Sequence, residues 1–177
     1  MPLRPIAADD ADELTAVLTR NRAFLTPWEP VRDDRYFTPE GQRERIEAAL
    51  LTRERDLGYA FVITDAAGSI QGALNINNVV RGAGQFASLG YWVAEEANGQ
   101  GHATRAVAEA VAIGFGALNL HRLEAGALVH NIGSQRVLER NGFTRYGLAP
   151  ELVHIAGRWQ DHVLFQRLNP DWAPRVS

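Results

Sequence analysis

The stretch Leu89-Gly90-Tyr91-Trp92-Val93-Ala94-Glu95-Glu96-Ala97-Asn98-Gly99-Gln100-Gly101-His102-Ala103-Thr104 restricts the fold of this chain more than any other. Residues of strand composition run directly into a glycine-bearing turn. From Gly101 onward the apolar spacing becomes helical, with Val107, Val111, Phe115 and Leu118 on one face. A helix N-terminus carries unpaired N–H groups and a partial positive charge, so such a turn suits a pyrophosphate. Gly99 and Gly101 remove side chains where backbone must approach the anion. Ala103 keeps the next turn small, and Thr104 adds a hydroxyl within the first turn. No Gly-Lys-Ser/Thr follows, which excludes a Walker A loop, and the three-glycine spacing of a dinucleotide fingerprint is incomplete. The alternative reading is that the glycines serve only to make a tight strand-to-helix connection.

The remaining elements can be read around this unit. Leu3 to Ala7 is a short strand, and a helix is expected from about Ala11 to Asn21 behind the capping residues Asp9 and Asp10. Arg22 to Phe37 holds prolines and aromatic anchors without a period and reads as an ordered loop. Thr38-Pro39-Glu40 starts a second helix that ends near Gly58. Tyr59 to Thr64 and Ile70 to Val80 form a hairpin across Asp65-Ala66-Ala67-Gly68, and Ala87 to Val93 is a third strand. The long helix spans Gly101 to Leu118. Leu123 to Val129 is an apolar strand suited to burial on both faces. Ile132 to Asn141 is a helix stopped by Asn141-Gly142. Phe143 to Leu148 and Trp159 to Leu168 are late strands, with Glu151 to Ile155 between them, and the tail from Ala173 to Ser177 is expected to be loose. A strand meander followed by a β-α-β-α-β run predicts an α/β (α+β) fold: one mixed sheet faced by helices, in one domain over 1–177.

Composition removes several function classes. Without cysteine there is no disulfide framework, thiolate zinc site or cysteine nucleophile. With 18 basic and 21 acidic residues, the net charge of −3 gives no nucleic-acid footprint. No apolar run approaches a membrane span, and the first residues lack the apolar core of a signal peptide, so a cytoplasmic protein is expected. His102, His121 and His154 lack metal-ligand spacing, so no metal is expected.

Asn98 to Ala103 resembles the acetyl-CoA loop of the GNAT N-acetyltransferases, whose pattern is Gln/Arg-x-x-Gly-x-Gly/Ala; Asn98 departs from it at the first position. His130-Asn131-Ile132-Gly133-Ser134-Gln135-Arg136-Val137-Leu138-Glu139-Arg140-Asn141-Gly142-Phe143 resembles a second segment of that family, Asn-x-x-Ser…Gly-Phe. The resemblance implies the GNAT fold, with a central sheet of about seven strands and a splayed central strand pair. It also implies acetyl-CoA as cosubstrate. Gly99, Gln100, Gly101, His102, Ala103 and Thr104 would meet the pyrophosphate, and Trp92, Val93 and Ala94 would pair with the pantetheine arm. Asn131, whose amide can donate and accept at once, would bond a pantetheine amide. Ser134 would give a proton to the departing thiolate. Capping of a helix remains the alternative for Asn131 and Ser134.

Asn21 to Asp33, Asn78 to Gly82, Gly157 to His162 and Asn169 to Trp172 are similar to the ribosomal-protein-alanine branch of that family. That resemblance implies direct acetyl transfer, in a ternary complex, to the N-terminal alanine of a ribosomal protein, with neither nucleic acid nor membrane as partner. Backbone N–H at the splayed strand, that of Val93, would polarise the thioester oxygen. A carboxylate would take the proton of the attacking amine, and Glu29 and Glu151 are the two candidates. Asp161 and His162 could instead fix strand geometry. Two other functions stay open, acetylation of a small amine and a non-catalytic acyl-CoA-binding module. The oligomeric state is not fixed, and a homodimer is allowed.

Overall fold

The computed structural model describes residues 3–174. Seven strands form one sheet in the order β1-β2-β3-β4-β5-β7-β6: β1 (Leu3–Pro5), β2 (Tyr59–Thr64), β3 (Ile70–Val80), β4 (Phe86–Val93), β5 (Arg122–Leu128), β6 (Thr144–Ile155) and β7 (Arg158–Leu168). Every neighbouring pair is antiparallel except β4 and β5. A parallel pair needs a crossover, and the helix α4 (His102–Phe115) supplies it. Before β2 come α1 (Ala11–Arg20), the short α2 (Arg22–Leu25) and α3 (Pro39–Glu54), and α5 (Ile132–Arg140) follows β5.

Alternation along β3 buries Ile70, Leu74 and Ile76, and these join Leu14 and Leu18 of α1, Val107 and Ala110 of α4, Leu123 of β5 and Phe165 of β7 in one core. The helices α1 and α3 pack on each other and on β2 and β3, while α4 reaches across β1 to β5 and against α5. No helix among the described residues is long and apolar enough to cross a membrane. Phe165 is 1% exposed at the centre of this core. Phe165→Ala is therefore expected to cost about 3–5 kcal/mol of stability, read as a lower urea midpoint at unchanged slope.

The sheet is mixed and its central pair parts, as the fold reading requires. Four boundaries differ from the sequence reading. Arg22 to Phe37 is not loop throughout: beyond α2 it makes 3-10 turns at Thr26–Trp28 and Asp34–Phe37. These pieces are too short to show a period; Pro27 fits the first turn of one, and Asp33 caps the other by accepting from the Tyr36 N–H at 3.0 Å. Helix α3 stops at Glu54 and α4 at Phe115, each short of its expected end, because Asp56 takes positive φ just beyond the first and Gly116 leaves the helical conformation (φ −83°, ψ −87°) right after the second. The late strand and the segment after it are one strand, β6, continuous through Pro150. As the edge of the sheet it tolerates a proline, and it bulges between Ala149 and Val153. In the tail, Trp172 Nε1 donates to the Asn119 carbonyl at 3.0 Å, and the Ala173 carbonyl accepts from Asn119 Nδ2 at 3.1 Å. Ala173 is thus tethered rather than loose, and residues 175–177 lie outside the described residues.

Candidate active site

Strands β4 and β5 pair only from Phe86 to Leu89 against Arg122 to Ala125. Beyond Leu89, β4 stays paired with β3 as far as Val93, and β5 continues with β7 alone, so the two central strands part. The Ala94 N–H donates to the Gln71 carbonyl at 2.7 Å. Antiparallel ladders alternate, so Gly90, Trp92 and Ala94 direct their N–H groups to β3, and Tyr91 and Val93 direct theirs into the gap.

At the end of β4 the chain passes a 3-10 turn, Glu95–Ala97, and enters α4. Gly99 and Gly101 both take positive φ, +74° and +79°. Gly101 is the left-handed residue that starts α4, and no side chain caps that helix. A Cβ at Gly99 would meet nothing within 4 Å, so the loop is open there. Asn98 Nδ2 turns inward to the carbonyls of Ala94 and Glu95, which closes the loop on itself.

The far wall is the N-terminus of α5. Asn131 caps it, its Oδ1 accepting from the Ser134 N–H at 3.0 Å. Tyr91 Oη lies 2.9 Å from Ser134 Oγ and 3.2 Å from the Ser134 carbonyl. Burial pushes the Tyr91 phenol up to about 12, against a smaller opposing effect of the Ser134 hydrogen bond, so it stays protonated at neutral pH. The two walls and the gap enclose a cavity of about 610 Å³. Trp92, Val93, Gly99, Gly101, His102, Ala103, Thr104, Asn131 and Ser134 all line it. Arg136 and Arg140, one turn apart on α5, stand on the same wall.

Residues 1–144, which include the strand-loop-helix cradle, match the Acetyltransferase (GNAT) domain. The chain belongs to the GNAT acetyltransferase family. Its relatives include a Bacillus subtilis protein named "Probable N-acetyltransferase YjcK", 39% identical over 96% of this chain and 94% of that protein. The Escherichia coli [Ribosomal protein uS5]-alanine N-acetyltransferase is 34% identical over 93% of this chain and 86% of its own length. Among solved structures, Mycobacterium smegmatis RimJ in complex with CoA-disulfide superposes with a TM-score of 0.91 at 31% identity, covering 97% of this chain and 83% of that one.

Two residues assigned by the GNAT resemblance stand apart from the cavity. Gln100 is exposed and donates its side-chain amide to the Glu96 carbonyl at 2.8 Å. Ala94 spends its N–H on β3. Glu151, one of the two candidate bases, sits in the β6 bulge at φ +48°. It is exposed there, and its N–H donates to Asp161 Oδ1 at 2.9 Å. Asp161 thus holds the bulge, and His162 is buried with Nδ1 3.0 Å from the Gln160 carbonyl.

Glu29 does not line the cavity either, but it is far less exposed than Glu151. Its neighbour Trp28 lines the cavity and lies against His130, ring centroids 5.5 Å apart. The Glu29 carbonyl accepts from the Ala156 N–H at 3.0 Å, which ties this loop to the β6–β7 turn. The carboxyl is mostly buried, 3.8 Å from Arg32 Nε. Burial raises its pKa above the ordinary carboxyl value, and the charges of Arg32 and Arg45 offset this only in part. Sequence reasoning missed Tyr91, Arg136 and Arg140 in this GNAT site. The two arginines had a readable signal, a basic i, i+4 pair after Asn131.

Proposed function

We propose that this GNAT N-acetyltransferase uses acetyl-CoA and transfers the acetyl group to the α-amine of a protein N-terminus, an alanine of a ribosomal protein. The cosubstrate reading rests above all on one observation: an uncapped helix start behind two left-handed glycines, facing a gap between parted strands. The open space at Gly99 leaves room for a phosphate against the backbone, and Arg136 and Arg140 add positive charge on the same wall. The acceptor reading draws on the uS5-alanine acetyltransferase of Escherichia coli, similar over nearly the whole chain.

In this mechanism the first turn of α4 and residues Gly99 to Ala103 bind pyrophosphate. Trp92 and Val93 extend the sheet toward the pantetheine arm, and the Asn131 amide, whose Oδ1 already caps α5, has Nδ2 left to donate. The Val93 N–H donates to the thioester oxygen as it gains negative charge. The neutral amine attacks the carbonyl carbon; its nitrogen gains the C–N bond as the C–S bond breaks. Glu29 takes the amine proton, with a raised pKa that suits it to the task. The Ser134 hydroxyl donates a hydrogen bond to the departing thiolate, and Tyr91 keeps that hydroxyl in place.

A thiol has a pKa near 8.5, so its thiolate is a tolerable leaving group. Ser134→Ala is accordingly expected to lower kcat only about tenfold, less than a missing general base would; steady-state kinetics with thiol release checks this. The acceptor assignment is tested by the same assay with alanine-initiated peptides beside amino acids, polyamines and aminoglycosides. Turnover of the peptides is the expected result. Turnover of small amines alone would remove the protein N-terminus, and tight CoA binding with no turnover of any acceptor would remove catalysis.

A further inference from the structure

A second cavity, about 310 Å³, opens beyond Glu29. It is built by the turn Asp34–Phe37 and the first turns of α3, and arginine dominates its wall: Arg32, Arg35 and Arg45. Its two acids are already engaged. Glu44 pairs with Arg35, and Asp33 caps the Tyr36 N–H. Arg32 and Arg45 both lie over the Tyr36 ring, 4.6 and 4.8 Å from its centroid. Among the described residues Arg45 has no carboxylate within ion-pair distance. The Arg32 Nε is fully buried with no hydrogen-bond acceptor, because Glu29 stops 3.8 Å away. A buried donor without a partner costs free energy; the Nε is closed to solvent, and Arg32 meets the cavity with the exposed part of its side chain.

The segment from Phe24 to Tyr36 joins the two cavities. Phe24, Leu25 and Trp28 face the larger one, Val31, Arg32 and Tyr36 face the smaller, and Glu29 lies between these two groups in the chain, 3.8 Å from Arg32 Nε. An amine presented to Glu29 from the outer side therefore brings whatever is attached to it over the arginines.

We propose that this second cavity binds a carboxylate of the acceptor, an Asp or Glu side chain of the peptide whose N-terminus is acetylated. The proposal rests on the reading of Glu29 as the residue that meets the amine. The planar forks of Arg32 and Arg45 suit a carboxylate, which a guanidinium holds through two parallel bonds. Arg32 reaches both Glu29 and the cavity, so the acid must lie close to the amine. An extended chain advances about 3.5 Å per residue, which puts it at roughly the second to fourth residue of the acceptor. The side-chain carboxylate of free glutamate offers the same chemistry, and the experiment separates the two sources.

The full chain is assayed by thiol release with alanine-initiated peptides that differ only in Glu or Gln at the second, third or fourth residue, and with free glutamate and glutamine. At one peptide position Glu is expected to exceed Gln in kcat/KM by about tenfold, as for a charge-assisted pair. That ratio should shrink toward one in Arg45→Gln, an exposed substitution that leaves the fold intact as checked by circular dichroism. Peptides acetylated with no Glu preference at any position overturn the proposal and leave the N-terminal reading standing. A preference confined to free glutamate keeps the carboxylate site and removes the peptide. Arginine Nε–H NMR during titration with the α-amide of N-acetylglutamate, whose side chain holds its one carboxylate, reads the site without turnover. A shift of the Arg32 signal, absent with the α-amide of N-acetylglutamine, supports it, and no shift at saturating ligand overturns it.

Discussion

Gly101→Val is expected to raise the KM for acetyl-CoA by about 100-fold, with a much smaller fall in kcat at saturation. Gly101 opens α4 at φ +79°. A β-branched residue in that left-handed conformation costs roughly 1–2 kcal/mol, and its Cβ would also stand 2.9 Å from the Arg105 guanidinium. If the backbone relaxes toward negative φ, the first N–H groups of the helix swing out of register with the cavity. Strain and lost anion contacts together reach the two decades, since each decade is about 1.4 kcal/mol. Initial-rate kinetics with acetyl-CoA varied, alongside thermal unfolding, separates binding from stability. An unchanged KM in a folded variant would sink the phosphate cradle. Gly99→Ala makes the useful comparison: its Cβ meets nothing in the protein, so a loss there reports the ligand more than the fold.

Glu29→Gln is expected to lower kcat/KM by about 10²–10⁴-fold, the range for removal of a general base, while the dissociation constant for CoA stays close to wild type. The stability of this variant should move the other way. Burial raises the Glu29 pKa in the folded protein, so between the ordinary carboxyl value and that raised value the unfolded chain binds fewer protons than the native one. Stability contributed by this group is therefore present below the ordinary value and lost as pH rises through the folded pKa. At neutral pH the native state carries the full cost of the buried charge. Glutamine resembles the protonated form, so Glu29→Gln is expected to be slower yet more stable than wild type at pH 7, with the stability difference vanishing in acid. Denaturation across pH measures the second effect. Full activity of Glu29→Gln at every pH would remove Glu29 as the base, and Glu151, exposed in its bulge, would need a substrate-driven approach to replace it.

The features legible in the sequence are those built from contiguous residues. The turn from Val93 to Thr104 carries its own geometry, because two glycines and a helix start fix the backbone that would meet a pyrophosphate. Asn131 and Ser134 were legible for the same reason, although their shared hydrogen bond makes the capping role real alongside any other. Tyr91 was not legible. Its position on a strand says nothing until α5 packs over the end of β4 and brings Ser134 to 2.9 Å. Arg32 and Arg45 come from different segments and meet only over Tyr36. The strand expected to end at Leu148 runs on through Pro150 to Ile155. An edge strand can absorb a proline in a bulge, and Asp161 of the neighbouring strand holds that bulge by accepting from the Glu151 N–H. At Gln100 the loop pattern says nothing of the side chain, whose amide serves the Glu96 carbonyl.

The hydrogen bond from the Ala156 N–H to the Glu29 carbonyl joins two segments far apart in the chain. The wall that would meet the cosubstrate is assembled within one stretch, from β4 through α5. The wall that would meet the acceptor is a joint between the α2–α3 connection and the tip of the β6–β7 hairpin. A molecule divided in this way can change its clientele by altering two surface turns in concert while its carrier chemistry is inherited intact. Altering either turn alone would leave the other without its fitted counterpart.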